Sequence, residues 1–173
     1  MTSKSNYFQQ THDSLMANRE QLITYLVIKK FNRLQREIVF NAYDYFVENP
    51  NRYDGATMSQ DLYDLPKSGN YDGLEIAAMV HDYIYIYLCA NLSPKAMKIA
   101  DKTMKSLMIK TNKSGFEIGR RMFLLKLVKI PFAWYNRIKT SNRITEAQME
   151  SINHTYNAFT KANRPPHVKV GFG

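Results

Sequence analysis

His81 and Asp101 are the residues whose types and spacing could do chemistry. Read at helical spacing, Leu74, Ala77, Ala78, His81, Tyr85 and Leu88 share one face, with His81 in the middle of an apolar stripe. An imidazole in that position needs a polar partner. Asn91-Leu92-Ser93-Pro94 reads as a turn into a second helix, with Ser93 as N-cap and Pro94 in the first turn. The second helix carries Met97, Ala100, Asp101, Met104 and Met108 on its apolar face, and Asp101 is its polar anomaly. Folding back at residue 91 brings 81 and 101 level, because each lies ten residues from the bend. A carboxylate would then orient an imidazole, which is how a general base is built. The same pair could equally be a buried His-Asp-Tyr network that only fixes two helices against each other.

The run Ala77-Ala78-Met-Val-His81-Asp82-Tyr-Ile-Tyr85, followed by Ala100-Asp101, resembles the catalytic helix pair of phospholipases of the A2 type. The likeness is to the forms in parvovirus capsids and bacteria, and it spans roughly residues 66 to 108. Small tailed-phage proteins of unknown function carry a similar Ala-Ala-x-x-His-Asp-Tyr-x-Tyr helix. The resemblance implies that His81 is a base activating water for attack on an ester carbonyl. It implies that Asp101 fixes the imidazole tautomer and that Tyr85 hydrogen-bonds Asp101. Asp82 would point away from His81 and hold calcium together with Gly69 and Asn70 of the preceding loop. That ion would neutralise the oxyanion. The family's calcium loop is regular and Gly-rich, whereas the matching place here reads Pro66-Lys-Ser-Gly69-Asn70-Tyr-Asp72-Gly73.

The elements that must position these residues are helices. The pattern predicts an all-α fold in a single domain, 1–173, with about five helices around a central antiparallel pair, 74–91 and 94–111. Asp13 to Val47 reads as helix, in one piece or two, and Asn49-Pro50 stops it. Its middle, Ile23 to Phe31, is apolar on nearly all sides, which implies burial or a partner. Residues 51–73 form a long connection that could wall a site. Ser114-Gly115 opens a helix from Phe116 to Lys139, kinked at Pro131. Thr145-Glu-Ala-Gln148 is a capping box for a last helix to about Ala162. Residues 1–12 read as an N-terminal arm and 164–173 as a C-terminal tail, both short of apolar anchors. The Tyr83-Ile-Tyr85-Ile-Tyr87 alternation reads as packing around a helix or as interface material.

Composition narrows the function classes. No window of 18 uncharged apolar residues exists, and Met1-Thr-Ser-Lys-Ser-Asn lacks a signal peptide's apolar core. One cysteine, Cys89, permits no internal disulfide and suits a reducing cytoplasm. His12, His154 and His167 are isolated, so metal-ligand spacing is missing, and no Gly-rich phosphate loop or Ser elbow occurs. The net charge of +9 is uneven: residues 1–94 hold 8 Lys/Arg against 11 Asp/Glu, and residues 95–143 hold 13 against 2. That asymmetry suits a polyanion or an acidic protein surface. Residues 120–139 read as a core helix with snorkelling cations, an interfacial membrane helix or a phosphate-binding face. The expected role is a structural and interaction protein of a virus particle, a neck, ring or tail-connector component made in the host cytoplasm. Its partners would be copies of itself in a ring and neighbouring virion proteins, with membrane or nucleic acid as further partners of the basic 95–143 region. The alternatives are a calcium-dependent phospholipase and a nucleic-acid-binding protein.

Overall fold

The computed structural model describes residues 19–49, 52, 73–123, 125 and 143–160. The chain is all-α, and no strand occurs among the described residues. The arm at 1–12, the tail at 164–173, most of the 51–73 connection and Pro131 lie outside them.

The first long helical stretch comes in two pieces, α1 (Arg19–Ile28) and α2 (Arg33–Glu48). The break is set locally. Lys30 takes a left-handed conformation (φ 53°), and Asn32 starts α2 with a reciprocal cap. Its Oδ1 accepts from the Gln35 N–H at 2.9 Å, and Gln35 Oε1 accepts from the Asn32 N–H at 3.1 Å. At the far end of α2 the Asn49 side-chain amide donates to the Tyr45 carbonyl, one residue before Pro50.

Helix α3 (Gly73–Ile86) follows, then a 3-10 turn (Ala90–Leu92) and α4 (Pro94–Lys110). α3 is shorter than the expected 74–91, because Cys89 sits in the left-handed region (φ 57°) and turns the chain. Ser93 caps α4 as its sequence predicts: Oγ accepts from the Ala96 N–H, and Pro94 occupies the first turn. Gly73 at the start of α3 lies against Thr111, just past the end of α4. A Cβ at residue 73 would overlap the Thr111 side chain, so the two helix ends approach only because residue 73 is glycine. Residues 115–123 are helical, opened by Ser114, whose Oγ accepts from the Glu117 N–H.

The last described helix, α5 (Glu146–Thr160), begins with the expected box. Thr145 Oγ1 accepts from the Gln148 N–H at 3.2 Å, and Gln148 Oε1 accepts from the Thr145 N–H at 2.9 Å. α3 packs on α4, α4 on α5, and α2 on both α3 and α5. The space between them is filled by Leu22, Leu26, Phe46, Ile76, Met79, Ile84, Leu107, Met108, Ile152 and Phe159, all fully buried. Burying each such side chain favours the folded state by about 1.5–3 kcal/mol before chain entropy is charged against it. Phe31 and Phe159 meet edge to face at 6.3 Å, closing α1 and α2 onto α5. α1 buries one side only: Leu22 and Leu26 are inside, whereas Ile23, Val27 and Ile28 are exposed.

Candidate functional site

Helices α3 and α4 bring His81 and Asp101 together. Both are buried, at 6% and 7% exposure, in the stripe of small and apolar residues that includes Ala77, Ala78 and Ala100. His81 Nε2 lies 3.3 Å from Asp101 Oδ1. Tyr85, one turn further along α3, donates its hydroxyl to the same oxygen at 3.1 Å. The His81 and Tyr85 rings lie 4.3 Å apart at 32°, so the three side chains form one packed unit. A desolvated carboxylate is tolerable there because it accepts from two donors.

Asp82 departs from expectation. It does not turn away from His81: its Oδ1 lies 3.1 Å from His81 Nδ1. The imidazole is therefore held from both sides, by Asp101 at one nitrogen and Asp82 at the other. Burial pushes the His81 pKa down, but hydrogen bonds to both carboxylates and their charges outweigh it and carry it up to about 9. Both carboxylates thus favour the protonated form, in which each ring N–H has a carboxylate oxygen to donate to. A protonated imidazole has no lone pair with which to take a proton from water. Burial, then the Asp101 charge and hydrogen bond, push the Tyr85 phenol well above its ordinary range, so it stays a neutral donor.

Of the expected calcium ligands, Asp82 alone is among the described residues. Asp82 is engaged by His81, and Gly69 and Asn70 lie outside the described residues. Among the described residues no group of three or more His, Cys, Asp or Glu side chains is placed to hold a metal ion. Nor is any described helix long and apolar enough to cross a membrane.

A second feature was not visible in the sequence. A groove of about 520 Å³ opens between α2, the end of α3 and α5. Glu37 and Asn41 line it from α2, Tyr83 and Tyr87 from the end of α3, and Glu150 and His154 from α5. Tyr83 and Tyr87 stack at 4.9 Å and 18°, and Tyr45 packs against both. Burial, with Tyr87 and Tyr45 nearby, pushes the Tyr83 phenol up to about 12, which keeps this wall neutral. His154, isolated in sequence, here shares a wall with Glu150 one turn away. Gln35 is the other residue that sequence reasoning missed. Its amide is buried and donates to the Ala158 carbonyl at 2.8 Å, tying α2 to α5.

No family model, curated protein or solved structure matches this chain. The likeness to phospholipases of the A2 type therefore stands on the motif residues alone.

Proposed function

We propose that this chain is a structural and interaction protein that works in several copies, as a neck, ring or tail-connector layer of a tailed-phage particle does. The observation that carries the reading is the geometry around His81, whose two ring nitrogens lie 3.1 Å from Asp82 Oδ1 and 3.3 Å from Asp101 Oδ1. A buried imidazole with both ring nitrogens engaged by carboxylates suits fixing α3 to α4 and is poorly suited to activating water. Two surface features support an interaction role: the exposed apolar side of α1 at Ile23, Val27 and Ile28, and the charge asymmetry between residues 1–94 and 95–143. The virion setting rests on the likeness of the Ala77–Tyr85 helix to that of small tailed-phage proteins. Sedimentation of the purified full chain tests the reading. A multi-copy species is expected, and a chain that stays monomeric at every concentration overturns it.

A second reading is a calcium-dependent phospholipase-like esterase. The convergence of His81 and Tyr85 on one oxygen of Asp101 favours it, since that arrangement is what the resemblance implies for a base and its orienting group. Release of fatty acid from phospholipid vesicles decides the matter. Calcium-dependent release that is lost in His81→Gln would establish the esterase and displace the purely structural role.

A further inference from the structure

Helix α4 carries a stripe of cations. Lys95, Lys98, Lys102 and Lys105 are all exposed and recur at spacings of three, four and three, so they stand on one face. The stripe is about 15 Å long at 1.5 Å per residue. Ile109, exposed at 52%, continues it by one more turn. The only carboxylate of α4, Asp101, faces the other way, into the core. No ion pair with a described residue engages these lysines.

The α2/α3/α5 groove has the opposite character. Glu37 lines it from α2 and Glu150 from α5, and neither Lys nor Arg is among its described lining residues. Tyr87, half exposed and stacked on Tyr83, presents an aromatic face to whatever enters. An ammonium group gains from both kinds of neighbour, a carboxylate and a tyrosine ring. Leu34 and Leu88 at the same groove can take the methylene stems of lysines and a residue like Ile109.

We infer that the groove between α2, α3 and α5 of one copy receives the Lys95–Lys105 face of α4 from a second copy of this chain. The inference rests on the multi-copy reading and adds the contact that builds it. The two surfaces use different residues, so the contact is heterologous: each copy offers one groove and one stripe, and repetition yields a ring or a filament. The occupant is another copy rather than a nucleic acid because the chain itself supplies a surface of matching sign.

A charge swap on the full-length chain tests this. Glu37→Lys with Glu150→Lys in one variant, and Lys98→Glu with Lys102→Glu in another, are each expected to weaken self-association by about tenfold or more. An equimolar mixture of the two is expected to reassemble, because reversed groove and reversed stripe then match again. Sedimentation reads the assembly, and thermal melting checks folding. Should a reversed variant fail to fold, Glu37→Gln with Glu150→Gln is expected to weaken association at unchanged melting temperature. A wild-type assembly that both variants form equally well overturns the groove contact while leaving the multi-copy reading standing. A monomeric wild type overturns both. A stripe variant that assembles normally but loses binding to random-sequence duplex DNA assigns α4 to nucleic acid and also overturns the inference.

Discussion

His81 Nε2 and Asp101 Oδ1 meet at 3.3 Å across twenty residues of sequence, at the buried contact of α3 and α4. The pair ties folding stability to pH. Folded His81 holds its proton up to about 9, against an ordinary value of 6.5. Its contribution is therefore fully present below pH 6.5 and is lost as pH rises through about 9. Thermal melting across that window is expected to show a falling midpoint, and His81→Gln should flatten the profile. The decrement is on the order of 3 kcal/mol at most. A wild-type midpoint that is level from pH 6.5 to 9.5 would show that His81 folds as the neutral form.

Tyr85 and His81 share Asp101 Oδ1, so their effects should not add. Asp101→Ala leaves two buried donors without an acceptor and is expected to cost about 2–4 kcal/mol. Tyr85→Phe removes one donor and should cost about 1 kcal/mol. In the background of Asp101→Ala, Tyr85→Phe should cost markedly less. Denaturant unfolding of the four chains gives the coupling, and strict additivity would mean that the shared oxygen is not what holds them.

How much of this was legible in the sequence depends on how local the cause is. Ser93-Pro94 and Thr145-x-x-Gln148 announced their helix starts because a cap is a contact within one turn. The His81–Asp101 meeting was legible because two polar residues interrupted apolar stripes at equal distance from a bend. Asp82 misled, because adjacent helical residues point apart and do not normally face one another, yet its carboxylate curls back to His81 Nδ1. The early end of α3 was missed because Cys89, not a glycine, takes the left-handed turn. The groove could not be read at all, since three helices far apart in sequence build it.

Gln35 is expected to matter more than an exposed-looking cap residue should. Its side-chain oxygen caps α2, and its amide nitrogen crosses to the Ala158 carbonyl. Gln35→Ala removes both bonds, one of them buried, at an expected cost of about 2–3 kcal/mol. Gln35→Glu keeps the cap acceptor but loses the donor and buries a charge, so it should be at least as damaging. Equilibrium unfolding in urea separates the cases: a loss below 0.5 kcal/mol for Gln35→Ala would mean that the α2–α5 bond contributes nothing net.

Gly73 carries the last expectation. It stands where α3 begins, against the side chain of Thr111 at the end of α4. Gly73→Ala would ordinarily favour a helix by about 1 kcal/mol. Here the added methyl would occupy the space of the Thr111 Cβ and Oγ1, and Thr111 is itself held by its hydroxyl to the Leu107 carbonyl at 2.9 Å. Neither side is the loose end of a long chain, so the helix ends must part. The overlap is expected to win and Gly73→Ala to destabilise by about 1–3 kcal/mol. Pairing it with Thr111→Gly, which empties the contested space, should recover part of that loss. Urea unfolding of the single and paired variants checks the sign: a Gly73→Ala chain more stable than wild type would mean that α3 and α4 do not approach closely at this end.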